Sequence, residues 1–339
     1  MRAPARVSRR KTLLWPRPIV KGGGIVPVAA RAVRSPEPQD VETAWITVRG
    51  ALTPTPVVPS PLASGALLKL EIFQPTGSFK VRGALAALAG LPAQVKAVTA
   101  SAGNHGLAMA YAASQTAADV TVVVAETASP AKVAKIKSYP VTLVQHGRYF
   151  DDAEQHALSL PGRYVSAYND PHVIAGQATI GKELDDQVIG PLTVVVPVGG
   201  GGLVGGLSLW ARERGDVRIV GVESSVSRAV STAVATGRIT EVEVGDSIAD
   251  GIIGNIEAGC VTPGLIGAGS VALTAVTDAE IHAALRWLFT EHGLVAEGSG
   301  ACGVAAVLAG KVEISGRLVV VLSGRNITAG TFAKALTHD

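Results

Sequence analysis

Short apolar runs rich in valine recur along the chain, at Ala66–Glu71, Ala97–Thr99, Val120–Ala125, Val141–Gln145, Thr193–Pro197, Arg218–Val222 and Leu318–Leu322. Their apolar positions are successive rather than alternate, which is the pattern of strands covered on both faces. Helical stretches fall between them, at Gly83–Ala89, Asn104–Ser114, Ala131–Ser138, Ala175–Val188 and Leu203–Glu213. A further helical pattern begins near Val41. Thr53–Pro61 alternates proline with small residues and is expected to be extended. This rhythm predicts a doubly wound α/β protein built on parallel sheets. No internal repeat and no low-complexity linker interrupts it.

Composition supports a buried α/β body. Hydrophobic residues make up 47% of the 339 and charged residues 17%, a balance that excludes a disordered chain. The net charge of +3 is misleading as an average. Residues 1–34 carry nine basic side chains and no acidic one, so the remainder stands at −6. The basic character therefore belongs to the N-terminal stretch, and no basic stripe for nucleic acid is expected on the body. Residues 1–38 are expected to form a disordered extension. Upstream sequence from a misplaced start codon, or an Arg-rich transit peptide, are the other readings of the same composition. Cys260 and Cys302 have neither metal-ligand nor disulfide spacing, and are expected as buried thiols in a reducing compartment. No run reaches the length of a membrane span.

Three loops carry candidate chemistry. Gly199, Gly200, Gly201 and Gly202 follow a strand, and Leu203 opens a helix. Four residues without side chains let successive N–H groups approach an anion at a helix N-terminus. Gly200, Gly202 and Gly205, with Glu223 about twenty residues on, also spell the dinucleotide-binding fingerprint, so this loop alone leaves an NAD(P)-binding oxidoreductase open, as well as simple strand–helix packing. The second loop, Thr76 to Gly83, places Lys80 between Phe79 and Val81. Enclosure lowers a lysine pKa and frees the neutral amine to attack a carbonyl. The third loop, Ser101–Gly106, offers small polar side chains and free N–H groups at a helix start, which suits a carboxylate; an ordinary helix cap is the alternative.

At these loops the sequence resembles the serine/threonine dehydratase branch of the fold-type II (tryptophan synthase β-like) enzymes, which depend on pyridoxal 5′-phosphate (PLP). The segments are "PTGSFKVRGA", "SAGNHG", "VPVGGGGLVGG", "EGSGA" and "VVVLSGRN", in the family's order, and the likeness runs from about Val41 to Asn326. It implies two open twisted parallel-sheet domains with PLP in the cleft between them. A large domain would comprise residues 39–89 and 174–339, and a small one residues 90–173. The resemblance implies Lys80 as the Schiff-base lysine and general base. It implies Phe79 beside the cofactor ring, Asn104 at its phenolic oxygen, and Gly199 to Leu203 around its phosphate. Ser323 would face the pyridine nitrogen, and the Gly251 backbone would approach from the other side. Ser101, Asn104 and His105 would line the substrate carboxylate.

The implied activity is β-elimination from L-threonine or L-serine, giving 2-oxobutyrate or pyruvate and ammonia, in a cytoplasmic homodimer with no nucleic-acid or membrane partner. Val81 stands where threonine and cysteine synthases of similar fold carry aspartate. Ala102 stands where the family's racemases carry a serine that protonates the face opposite the lysine. Another β-eliminase, such as a 3-hydroxyaspartate dehydratase, or a racemase remains the nearest alternative; a non-catalytic PLP-binding protein is a third. Glu223 resembles an acidic ligand of the family's divalent-cation site, but Ala229 stands where a second carboxylate is often found. Arg325 departs from the family's usual glycine or alanine.

Overall fold

The computed structural model describes residues 31–92 and 94–337. Two sheets organise the chain. The larger has six strands in the order β1 (Val57–Pro59), β2 (Leu67–Lys69), β10 (Arg317–Val321), β7 (Leu192–Pro197), β8 (Val217–Ser224), β9 (Ala272–Val276). All its pairings are parallel except β1 on β2. The smaller is wholly parallel and has the order β5 (Thr142–Gln145), β4 (Val120–Val124), β3 (Ala97–Ala100), β6 (Arg163–Tyr164).

The valine-rich runs sit where helices cover both faces. Every residue of β7 and β4 is buried, and fully burying a valine side chain contributes roughly 1.5–3 kcal/mol. All seven expected strands are present, though Ala66–Glu71 shortens to β2 because Glu71 already belongs to a 3₁₀ turn. The sequence pattern missed β9, a half-exposed strand at the sheet edge, and the two-residue β6.

The expected helices are present, most of them longer than read; the one at Pro130–Lys137 keeps its length and starts one residue earlier. Helix α2 runs Lys80–Ala89 and α3 runs Asn104–Thr116. Then follow α4 (Pro130–Lys137), α6 (Pro171–Gln187) and α7 (Gly202–Arg214). The stretch 1–38 departs from expectation at its end. Helix α1 (Pro38–Ala51) starts there, and Arg31 and Arg34 make ion pairs with Glu257 and Asp40. The rest of that stretch lies outside the described residues. Among the described residues no helix is long and apolar enough to cross a membrane.

The loops of interest all follow the C-terminal ends of parallel strands: Ser101–Gly106 after β3, Gly199–Gly202 after β7, Ser323 after β10, and the Lys80 loop after β2. Such edges are where open α/β sheets gather ligands.

Candidate active site

Helix α2 begins at Lys80 itself, so the amine leaves from a first turn. The loop ahead of it is pinned to the end of β10. Phe79 N donates to Ser323 O at 3.0 Å, and Arg325 N donates to Gly77 O at 2.9 Å. Gly77 is required there: its φ is +74°, and a Cβ would stand 2.7 Å from Asn326 Oδ1. Lys80 Nζ donates to Ala167 O at 2.8 Å and lies 5.2 Å from the centre of the Phe79 ring. Burial lowers the Lys80 pKa from 10.5 to about 8, against the attraction of Glu297.

From Ala167 the contacts continue to the glycine loop. A Cβ on Gly200 would fall 2.2 Å from the ring of Tyr168, and one on Gly202 would fall 2.9 Å from Tyr168 Cα. On Gly201, where φ is +85°, it would meet Thr262 Oγ1 at 2.6 Å; on Gly199 it would meet Ile252 Cα at 2.9 Å. Gly201 caps α7, and the first bond of that end is Gly205 N to Gly201 O at 2.8 Å. The N–H groups of Gly202, Leu203 and Val204 thus carry no intrahelical bond. Beside Ile252, Gly251 N donates to Ser299 Oγ at 3.0 Å.

A polar relay closes the circle. Asn104 Nδ2 donates to Glu297 Oε1 at 2.7 Å, while Asn326 Nδ2 donates to Asn104 Oδ1 at 2.6 Å and to Thr76 O at 2.8 Å. Asn326 N donates to Glu297 Oε2 at 3.1 Å. The lysine loop, glycine loop, Gly251 segment, Glu297 turn and Asn104 helix start are therefore one continuous wall. Burial pushes the Glu297 carboxyl up to about 7, with repulsion from Asp250 adding and the Asn104 amide opposing.

Ser101 Oγ accepts from Gly103 N at 3.1 Å and shapes the turn into α3. The His105 ring does not face that turn. Its Nε2 meets Val165 O at 3.2 Å, and since a carbonyl only accepts, Nε2 carries the hydrogen and Nδ1 is left a bare acceptor. Burial, and then the nearby Lys80 charge, lower its pKa to about 3, so the ring is neutral. What His105 offers the turn is its backbone N–H. Glu223 is buried, and only one of its oxygens is partnered: Oε1 accepts from Val230 N at 3.0 Å and Ser231 N at 3.1 Å, at the start of α8 (Ala229–Thr236), while Oε2 has no hydrogen-bond partner. At 1% exposure the carboxylate does not present itself to a ribose, which counts against the acidic half of the dinucleotide fingerprint. Among the described residues no group of three or more His, Cys, Asp or Glu side chains is placed to hold a metal ion.

The loops bring together Lys80, Phe79, Asn104, Gly199 to Gly202, Gly251 and Ser323. The sequence did not single out Ala167, Tyr168, Thr262 or Asn326 as contacts. Glu297 opens the segment EGSGA that the resemblance placed beside the cofactor, but its bonds to Asn104 and Asn326 were not legible there. A buried amine with a depressed pKa, linked through Ala167 and Tyr168 to glycines that admit no side chain at a helix N-terminus, is an arrangement suited to a phosphorylated carbonyl cofactor.

The family model described as pyridoxal-phosphate dependent enzyme matches residues 48–324, and the chain belongs to that family. The L-threonine ammonia-lyase of Thermotoga maritima is 36% identical over 303 residues, which are 85% of this chain and 75% of that one. A catabolic L-threonine dehydratase of Staphylococcus aureus is 31% identical, over 88% of this chain and 91% of that one. Among solved structures, a threonine deaminase from T.th. superposes with a TM-score of 0.79 at 31% identity, covering 86% of this chain and 99% of that one. Maize serine racemase gives 0.81 at 25% identity, covering 89% and 97%. The cofactor of this enzyme is PLP, and the residues present fit it: the close-packed glycines put no side chain in front of the N–H groups at the start of α7, and Lys80 offers a largely buried amine.

Proposed function

We propose that the enzyme deaminates L-threonine and L-serine by β-elimination, releasing 2-oxobutyrate or pyruvate and one ammonia per turnover. The observation that carries this is the placement of the neutral-prone Lys80 amine inside the closed wall of loops. The relatives named for threonine deamination extend across most of the chain.

When bound, PLP supplies an electron sink for negative charge at the substrate Cα. Lys80 holds the cofactor and, when freed by the substrate, takes the Cα proton on Nζ. Gly199 to Leu203 would hold the phosphate on backbone amides, and Phe79 would pack beside the ring. By the family resemblance Asn104 would serve the phenolic oxygen, Ser323 the pyridine nitrogen, and the Gly251 backbone the opposite side. The substrate carboxylate takes the first-turn N–H groups of α3 with Ser101, Asn104 and the His105 backbone. The enclosing wall keeps water from that centre. The division into residues 39–89 with 174–339 and residues 90–173 belongs to this reading; the smaller sheet draws all its strands from within the latter. The family resemblance adds a cytoplasmic homodimer. The test is release of 2-oxo acid from each amino acid, with a change in the visible spectrum on mixing; a yellow protein inert to both would turn the reading to other β-substituted amino acids.

Two further outcomes follow from the same geometry. Uptake of PLP by the apoprotein needs the neutral amine, so its rate rises with pH and levels off above about 8. Stopped-flow absorbance checks this, and a midpoint near the ordinary 10.5 would mean that Lys80 is solvated. Ala102, half-buried in the turn before α3, has no proton to give. Ala102→Ser is expected to raise serine racemisation about tenfold or more. Chiral chromatography that finds D-serine no higher than in the parent would count against that role.

A further inference from the structure

We infer that Arg31, ahead of α1, is a positioning residue for the cofactor site: it clasps the Glu257 loop of the larger-sheet region to the Tyr164–Asn169 segment leaving β6, and thereby fixes the carbonyl that Lys80 grips and the ring that backs the glycine loop. This rests on the reading of Lys80 and Gly199–Gly202 as the PLP site.

The clasp is bidentate. Arg31 Nε donates to Glu257 Oε2 at 2.9 Å and Nη2 to Oε1 at 2.8 Å, the fork geometry that makes arginine–carboxylate pairs strong and directional. Nη2 also reaches Asn169 O at 3.3 Å, and the guanidinium carbon stands 4.9 Å from the Tyr164 ring centre. Only 23% and 21% of the two side chains is exposed, so solvent screens the pair less than an open surface pair.

Beyond Glu257 the contacts lead to the site by two routes. Ser166 Oγ donates to Glu257 Oε1 at 3.1 Å and accepts from Asn169 N at 3.2 Å. Glu257 N donates to Tyr168 Oη at 3.0 Å. Ala167, whose carbonyl accepts the Lys80 hydrogen bond, lies between these two anchored residues. The Tyr168 ring fills the space a Gly200 side chain would need. The other end of the Glu257 loop is fixed as well: Val261 N donates to Asn169 Oδ1 at 3.1 Å, and Thr262 Oγ1 donates to Gly200 O at 2.8 Å.

Charge explains why an arginine is needed. Tyr164 Oη donates to Glu154 Oε1 at 2.6 Å, which brings a second carboxylate to the same place. Burial foremost, and repulsion from Glu257 next among the charges, raise the Glu154 pKa, and Arg31 opposes both. Without the guanidinium, two carboxylates face one another and Glu257 gains by swinging into water. Its backbone N–H then leaves Tyr168, and the wall behind Gly200 loosens.

The test uses the full chain as Arg31→Ala, Arg31→Lys, Glu257→Gln and the double variant Arg31→Ala/Glu257→Gln. Each is stripped of cofactor and titrated with PLP by visible absorbance, with thermal melting recorded for the apoproteins. Arg31→Ala is expected to raise the PLP dissociation constant about tenfold, ~1.4 kcal/mol, with little change in apoprotein melting. Arg31→Lys should fall between, since it keeps the charge and loses the fork. The isosteric Glu257→Gln should match Arg31→Ala, and the double variant should add little, as members of one chain of contacts do. Unchanged PLP affinity in both single variants, with or without a lower melting temperature, would overturn the proposal and leave a structural strap at most. A parent chain that takes up no PLP would instead overturn the site reading itself, a result that the parent titration alone reveals.

Discussion

Lys80→Ala is expected to lower kcat/KM for L-threonine by at least ~10³-fold, because it removes both the group that holds the cofactor and the base that takes the Cα proton. The structure supplies no substitute. Lys80 Nζ is fixed on Ala167 O, and its Phe79 neighbour offers only a ring face. The nearby His105 ring is neutral and turned to Val165. Glu297 is held by Asn104 and Asn326. Single-turnover assays at saturating PLP measure the loss, and turnover within tenfold of the parent would remove Lys80 from the mechanism. The spectrum provides a second check: the variant binds PLP without the shift that a lysine linkage gives.

Arg82→Ala is expected to cost about 3–5 kcal/mol of stability, the largest effect on folding among these substitutions. Two residues past Lys80 on α2, Arg82 points away from the cleft into a buried charge cluster. It bonds Glu71 through Nε and Nη2, each at 2.8 Å, and Glu183 through Nη1 at 2.7 Å. Lys69 Nζ meets Glu183 Oε2 at 2.5 Å and Gln187 Oε1 at 2.7 Å. All four charged side chains are at most 2% exposed. Two cations balance two carboxylates, so removing one cation strands a carboxylate where water does not reach. Arg82→Met with Glu71→Leu deletes a matched pair and leaves Lys69–Glu183 intact, and should recover most of the loss. Chemical denaturation of the apoprotein distinguishes the cases; a loss under ~1 kcal/mol for Arg82→Ala would mean that the cluster is not coupled as its geometry implies.

Much of the fold was legible locally. The successive valines of Val194–Val196 and Val122–Val124 are buried because parallel strands are covered on both faces. Alternation with helices told which neighbours cover them. Among the described residues six helices were not read: α5 (Phe150–Ser159), α8, α9 (Thr262–Ala268), α10 (Asp278–His292), α11 (Gly298–Leu308) and α12 (Ala329–Thr337). For α10 a signal was available, since Thr277 and Glu280 form a capping box and Gly293 closes the far end. Strand β9 gave none, because its half-exposed positions follow no regular alternation.

The sequence by itself determined the strand–helix alternation, the lysine set among apolar neighbours, and the glycine run at a helix start. Each of these is written in consecutive residues, and local sterics and backbone donors give it meaning. The tertiary structure alone decided which distant groups share the site. Asn104, Glu297 and Asn326 meet across 193 and 222 positions of chain, and Lys80 reaches Ala167 across 87. It also decided that the His105 ring serves β6's far end and that Glu223 caps a helix, removing two side chains that the motifs had made available. Lys69, Glu71, Arg82 and Glu183 are spread over more than a hundred positions of chain, yet they form the buried cluster behind the helix that starts at Lys80. Pairing of charges and of buried polar atoms depends on separation in space, and only the packing of the two sheets sets that separation.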